Sequence, residues 1–431
     1  MDRQRGSLPR DAQDTPTERD LRSAAAEGYV YGVAPVAVAR TRALFLPLTG
    51  VNRLHHSRLP ADPGSRTVVA PNVDTLYTHG WLDLRGGPAL VTIPDDPERY
   101  RIYQLMDIWS NTFASLGAAA GRFAVVPPGF EGELPADADR IASPSWDVWL
   151  LGRTRVSGAA DLDAARRVQR SPRLDILPSP IDGAPPQLPA GPAAGPYALP
   201  EPKSAFFEEL AGILEANPAP AADAPVLGRL AALGVVAGAP GQPRSRRSVA
   251  ALEAGIDDAL ARLAASAGKE STAGWTGSFS AGVYGTDYAT RAVVARDGLG
   301  AGVPEQALYY FARADGSGEP LSGERAYRLR FPAGLLPPFG RRGFWSLTMY
   351  GADRFLVANR LDRYAVGDRS GHLVYEEDGS LEIRLGRTAP AAGESNWLPA
   401  PSGPFVLGLR LYVPRIEARS RRWWPAAVEA C

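Results

Sequence analysis

The stretch from Pro71 to Asn111 constrains the fold most, because strand-like alternation runs through it three times and each pass sets polar residues beside large apolar ones. The period of two puts Thr75, Tyr77, His79, Trp81 and Asp83 on one face of a first strand and Leu76, Leu82 and Leu84 on the other. Arg85-Gly86-Gly87-Pro88 turns the chain, and Ala89 to Ile93 follows as a second strand expected to pair with the first. After Pro94-Asp95-Asp96-Pro97 a third strand runs from Tyr100 to Trp109, which predicts a small antiparallel meander. In that strand Tyr103, Asp107 and Trp109 share one face, and Gln104 lies with Ile102, Met106 and Ile108 on the other.

Further strands at Arg122 to Val126 and Trp146 to Arg153 extend this region into a β-sandwich closing near Val156. Ahead of it, Thr17 to Phe45 reads as a helix in which Pro35 predicts a kink or break. Gly28 and Gly32 leave two readings open, a close approach by another backbone or a segment that is simply not straight. Asp161 to Gln169 is again helical, whereas Leu177 to Pro202, dominated by proline, alanine and glycine, reads as a linker or wrapping segment. Three apolar helical stripes follow, led by Phe206, Val226 and Leu252, then a helix over Asp287 to Asp297 with Asp287 and Arg291 spaced as an i, i+4 pair. From Ala307 onward period two returns. Strands are expected near Tyr309, at Tyr327 to Phe331 and at Trp345 to Tyr350, in a hairpin joining Leu373–Tyr375 to Leu381–Leu385 through Asp378-Gly379, and at Phe405 to Val413, enough for a second sandwich or jelly roll.

The expected organisation is mainly β with a helical insertion. Residues 1–16 form a disordered tail, 17–160 an N-terminal helix and β-sandwich, 161–300 a linker and helical segment, and 301–431 a C-terminal β domain. Lys and Arg together number 47, as do Asp and Glu, so no electrostatic footprint favours nucleic acid or an anionic membrane, and a small-molecule partner is expected. No run approaches the roughly 20 apolar residues that cross a bilayer. The charged start lacks the apolar core of a signal peptide, which predicts a cytoplasmic protein. Lysine occurs only at Lys203 and Lys269, and the arginine-rich remainder reads as a GC-rich bacterial genome. The single cysteine, Cys431, excludes an intramolecular disulfide framework.

Two clusters of polar residues stand out. Asn72, Asp74, Thr75 and Tyr77 crowd the entry to the first strand, and Tyr103, Gln104, Asp107 and Asn111 crowd the third. As a catalytic set, Asp74 or Asp107 would be the base and Tyr77 or Tyr103 the acid, with the amides and Thr75 positioning a substrate. As a structural set, the same groups cap loops and satisfy buried hydroxyls. The second cluster is Trp345, Asn359, Arg363, Tyr364, Asn396 and Trp397, able to stack on a sugar-like ring or clamp a carboxylate, or else to plug a gap between domains. No Walker A loop, dinucleotide fingerprint, zinc-protease motif or Gly-x-Ser-x-Gly elbow is present, and no cofactor is expected.

The run from Pro71 to Tyr77, then Trp81-Leu82-Asp83-Leu84 and Asp107 with Asn111, resembles the domain of unknown function 1254. Gly343 to Tyr350, Asn359 with Arg363-Tyr364, Asp378-Gly379-Ser380, Asn396 to Pro401 and Leu409 to Tyr412 resemble the domain of unknown function 1214. The resemblance implies an immunoglobulin-like β-sandwich, a helical segment and a jelly-roll-like β-sandwich, and little chemistry. Two departures are visible. Ser420 to Pro425 stands where the family usually ends in an Asp-Gly pair before a Trp and prolines, and the charged start is not expected to act as the export signal that many relatives carry.

The function expected is that of a cofactor-independent lyase, cyclase or hydrolase acting on a small neutral metabolite between the two β domains, in bacterial secondary metabolism, with a homodimer as the candidate assembly. The rival is a carbohydrate-binding or structural protein. His55, His56, His79 and His372 are the only histidines, and adjacent ones cannot both reach one ion from a regular element. Elemental analysis of the purified protein is therefore expected to find no stoichiometric metal. One zinc or copper per chain would overturn this and make His55, His56 and His79 the first ligands to test.

Overall fold

A computed structural model describes residues 16–431 except 67, 97, 118, 180, 192–194, 240, 242–243, 267–270 and 392. The tail expected over 1–16 lies, save for Pro16, outside the described residues. The first helix, α1 (Glu18–Thr49), starts in a reciprocal capping box: the Thr17 hydroxyl accepts the Asp20 N–H at 3.2 Å, and the Asp20 carboxylate takes the Thr17 N–H at 2.9 Å.

The break expected at Pro35 does not occur. Proline has no N–H to give the Tyr31 carbonyl one turn back, and Arg291 takes its place, its Nη2 donating to that oxygen at 2.9 Å. Every residue from Tyr31 to Arg42 is buried, so this part of α1 is surrounded rather than amphipathic. A short helix, α2 (Leu162–Gln169), lies elsewhere, while α3 (Phe206–Ala216), α4 (Ala224–Ala231), α5 (Arg246–Ser266) and α6 (Tyr288–Gly298) pack around α1. Asp287 caps α6 by accepting the Thr290 N–H at 3.0 Å and does not pair with Arg291, which turns inward to α1.

The strands of the first half are β1 (Leu54–His56), β2 (Thr75–Asp83), β3 (Ala89–Ile93), β4 (Arg101–Met106), β5 (Thr112–Leu116), β6 (Gly121–Val126), β7 (Asp139–Ala142), β8 (Asp147–Arg155) and β9 (Arg173–Ile176). They form an inner sheet in the order β1-β2-β8-β4-β5 and an outer sheet in the order β7-β6-β3-β9. The expected meander is thus replaced by a crossing between sheets. Asp83 accepts the Arg85 N–H at 3.1 Å and caps one 3-10 turn at Leu84–Gly86, which carries the chain out of the inner sheet. Consequently β3 pairs with β6 and β9, and β2 pairs with β8. The third strand ends at Met106 rather than Trp109, because the Asp107 N–H bonds to the Asn111 carbonyl at 2.9 Å and opens a turn.

The second half contributes β10 (Ser271–Thr272), β11 (Trp275–Ser278), β12 (Ala307–Ala312), β13 (Tyr327–Phe331), β14 (Phe339–Gly351), β15 (Ala365–Gly367), β16 (Leu381–Gly386), β17 (Trp397–Pro399), β18 (Phe405–Pro414) and β19 (Val428–Ala430). Its inner sheet runs β10-β11-β12-β18-β14-β15 and its outer sheet β17-β16-β13-β19. No strand forms at Leu373–Tyr375; the Asp378-Gly379 turn leads only into β16, which pairs with β13 and β17.

Each inner sheet is covered twice. Leu105, Val148 and Leu150 meet Val91, Ile93 and Val125 of the outer sheet, while Trp81, Met106 and Trp149 on the opposite face pack against the helices. In the second half Leu308, Leu347 and Leu409 meet Leu329, Ile383 and Val428. The two inner sheets then touch through Tyr100 and Ile102 against Phe344 and Tyr412. The result is a β-rich chain of four sheets with the helices set against the first half.

The two glycines of α1 do mark close approach, but to side chains: a Cβ at Gly28 would meet Leu230 Cδ2 at 2.2 Å, and one at Gly32 would meet Leu210 Cδ2 at 2.9 Å. Backbone approach occurs at Gly255 of α5, where a Cβ would lie 2.8 Å from the Ala26 nitrogen and 2.9 Å from the Arg22 oxygen. Gly255→Ala raises intrinsic helix propensity by about 1 kcal/mol, yet it is expected to lower the unfolding free energy by about 1–3 kcal/mol through overpacking. Urea denaturation checks this; an unchanged or raised midpoint would mean that α1 and α5 do not cross so closely.

Candidate functional site

The two inner sheets do not close on each other everywhere, and between them lies a cavity of about 600 Å³, within the range of about 300–1,000 Å³ usual for small-molecule sites. One wall is β2 and β8, which present Tyr77, His79, Trp149, Leu151 and Arg153. The facing wall is β12 and β18, with Tyr309, Phe311 and Arg410. Phe45 of α1, Val293 and Val294 of α6 and the segment from Val68 to Asn72 close the sides.

Strand register explains this convergence. Tyr77 stands directly opposite Arg153, and Tyr309 directly opposite Arg410, so each inner sheet sends one Tyr–Arg pair out of a single face. The Arg153 guanidinium lies 5.6 Å from the centre of the Tyr77 ring. Its Nη1 donates to Gln104 Oε1 at 2.8 Å and its Nη2 to the Gly300 carbonyl. Gln104 is fixed in turn, its Nε2 donating to Thr112 Oγ1 at 2.7 Å and to the Ala301 carbonyl at 3.0 Å. Across the cavity Arg410 donates from Nη1 to Thr348 Oγ1 at 3.1 Å and from Nη2 to the Ala70 carbonyl at 2.7 Å.

His79 stacks on Phe45 with ring centres 4.6 Å apart, and the Trp149 ring lies beside it, near parallel, with ring centres 6.0 Å apart. Burial, aided by nearby His55 and Arg153, pushes its pKa down to about 3, so the imidazole is neutral at physiological pH. The Trp149 indole N–H can only donate, and it lies 3.3 Å from His79 Nδ1. Nδ1 is therefore the acceptor, which leaves the ring proton on Nε2.

Of the residues singled out from sequence, Asn72 and Tyr77 line the cavity and Gln104 holds Arg153 from behind. Asp74 lies outside the lining, in an ion pair with Arg369 at 2.7 Å that joins the two halves. Neighbouring bonds join them too: Asn72 Nδ2 donates to the Tyr412 hydroxyl, and the Tyr350 hydroxyl to the Pro71 carbonyl, each at 2.7 Å. Thr75 is fully buried at the head of β2, and Tyr103 points into the core between the first two sheets. Asp107 and Asn111 close a turn on each other, Asp107 Oδ1 accepting the Asn111 N–H at 2.8 Å. Neither aspartate lines the cavity, so their carboxylates are not brought into one open cleft.

The second cluster closes loops. Asn359 accepts the Leu361 and Arg363 N–H groups, Arg363 donates to the Glu394 and Trp397 carbonyls, and Tyr364 bonds to Asp362. Asn396 bridges Val374 and Glu382, the Trp397 indole donates to Gly386, and Trp345 is core. Sequence reasoning does not select Arg153, Arg410, Trp149 or Tyr309. The signal available was a cation inside an apolar alternating strand, as with Arg410 between Leu409 and Leu411, which becomes readable only once the facing strand is known.

Residues 51–175 match the family described as protein of unknown function (DUF1254), and residues 306–416 the family described as protein of unknown function (DUF1214). The chain is a tandem DUF1254/DUF1214 protein. Both matched regions build the cavity of this tandem protein, the first through Tyr77, His79 and Arg153 and the second through Tyr309 and Arg410. The crystal structure of the VPA0106 protein from Vibrio parahaemolyticus shares the fold, with a TM-score of 0.70 at 24% identity over 96% of this chain and 100% of that one. An uncharacterized protein from Burkholderia cenocepacia aligns with a TM-score of 0.46 at 13% identity over 96% of this chain and 94% of its own. No curated protein matches the tandem DUF1254/DUF1214 chain.

Burial pushes the Asp107 carboxyl up to about 6 against the opposing pull of its Asn111 hydrogen bonds and the Arg291 charge. The folded-state value lies above the ordinary 3.8, so Asp107 favours folding while protonated and that contribution is lost as pH rises through about 6. Asp107→Asn, which cannot ionise, is expected to gain on the wild type by about 1–3 kcal/mol between about pH 4 and pH 7. Denaturant curves at the two pH values check this, and a difference independent of pH would contradict it.

Proposed function

We propose that this protein binds a small organic molecule in the cavity between its two β domains, an immunoglobulin-like sandwich and a jelly-roll-like sandwich. The observation that carries the reading is the pair of opposed Tyr–Arg couples, one from each inner sheet, converging on a cavity of about 600 Å³ whose remaining walls are largely aromatic and aliphatic. Such a surface, apolar with a few convergent polar groups, is what ligand recognition requires.

A catalytic version of the reading moves the acid–base chemistry from Asp74 and Asp107 to Tyr77 and His79. These lie two residues apart on one face of β2, and the imidazole presents its donor from a neutral ring, so it would act by polarising a substrate oxygen rather than as a base. A metabolite mixture incubated with the protein and followed by mass spectrometry tests this version. Turnover that survives in the Tyr77→Phe, His79→Gln double variant would remove it.

Binding itself is tested with the neutral fluorescent probe phenylnaphthylamine. Saturable fluorescence enhancement is expected in the wild type. Val294→Trp, which fills part of the cavity from α6, is expected to weaken it by about ten-fold or more without lowering the thermal midpoint. Absence of saturable binding, or binding indifferent to Val294→Trp, would overturn the proposal.

A further inference from the structure

Arg153 and Arg410 are 6% and 4% exposed, and among the described residues neither has a carboxylate within ion-pair distance. Of the other buried arginines, Arg40 pairs with Glu209 at 2.6 Å and Arg42 lies 3.8 Å from Asp147, while Arg101 and Arg291 bond to the Pro94 and Tyr31 carbonyls; what sets Arg153 and Arg410 apart is that both line one cavity. Asp74, whose charge reaches Arg410, is held by Arg369 at 2.7 Å, and Asp297 of the cavity lining is taken by Arg354 at 2.9 Å. Arginine cannot shed its proton to escape burial. The cavity walls thus hold two permanent positive charges hydrogen-bonded to a neutral amide, the Thr348 and Tyr350 hydroxyls and backbone carbonyls.

We infer that the ligand is an apolar carboxylic acid, its carboxylate taken by Arg153 and Arg410 and its body lodged along Phe45, His79 and Trp149. This inference rests on the cavity being a ligand site and adds the charge of the ligand. Two planar forks suit a carboxylate, which each can meet through parallel N–H bonds. An anion entering the cavity gains an attraction that is screened less than at the outer surface, which an ester or alcohol of the same shape lacks. The flat aromatic surfaces of Phe45 and Trp149 beside His79 favour a ring or chain over a polyhydroxylated or highly charged body. The inference replaces the neutral metabolite expected from sequence with an acid.

The test uses the full chain and three probes of one shape: naphthoic acid, its methyl ester and naphthalenemethanol, measured by titration calorimetry and by displacement of phenylnaphthylamine. The acid is expected to bind at least about ten-fold tighter than either neutral probe, because hydrogen bonds to charged groups are among the strongest available. Arg153→Gln and Arg410→Gln are each expected to reduce acid affinity by about ten-fold or more and to leave the ester within about two-fold. If acid and ester displace the dye equally from the wild type, the acid inference fails while the cavity site stands. If none of the three displaces a dye that Val294→Trp also fails to exclude, both fall. Inorganic phosphate competing as well as naphthoic acid would likewise overturn the choice of a carboxylic acid. The wild-type comparison decides the matter even if an arginine variant does not fold.

Discussion

Two sheets of this protein carry large side chains on both faces, and neither is stable with one face in water. All six residues of β4 are buried, as are the first eight of β8, so the inner sheet of the first half needs a partner above and below. The outer sheet supplies one cover; the helices and the second inner sheet share the other. The same holds for β18, whose leucines face the outer sheet while Arg410 and Tyr412 face the first half. From this double burial follow the stacking of the sheets and the position of the cavity, which lies where the second cover is incomplete.

The helical layer shows how closely the cover is fitted. A proline in the middle of α1 would ordinarily break it, and here the freed Tyr31 carbonyl is taken by a guanidinium from α6, which also lies 5.1 Å from the centre of the Tyr31 ring. One buried cation therefore joins two helices at the point where the backbone ladder is interrupted. At the seam between the halves the same economy appears: Pro71, Asn72 and Asp74 each bond to a side chain of the second half. Because a buried pair such as Asp74 with Arg369 is costly to desolvate, its worth lies in fixing how the halves meet more than in net stability.

That fixed seam gives the cavity its electrostatic character. Arg153 and Arg410 come from different sheets, and only the docking of one half on the other sets both beside the same space. The walls there are mostly aromatic and aliphatic side chains, so charges act at a lower effective dielectric than at the outer surface. Neutral His79, with its proton held on Nε2 by the Trp149 indole, adds a donor without adding charge.

Sequence alone determined what is local. The capping of α1 by Thr17, the helices at Leu162 and beyond Phe206, and the alternation of β2, β4 and β8 follow from contacts within a few residues, and the family motifs are contiguous runs. The side of β2 that carries Tyr77, His79 and Trp81 was legible for the same reason. Tertiary structure decided what those faces meet. Tyr77 and Arg153 are far apart in the chain, and Tyr309 and Arg410 likewise, so no local pattern could show that they would stand opposite one another. Nor could alternation reveal that β3 leaves its neighbour for another sheet, since a strand's period sets its faces but not its partners. For the same reason Asp74 and Asp107, conspicuous as carboxylates in sequence, became a seam and a turn, while two arginines inside apolar strands became the charged walls of the cavity.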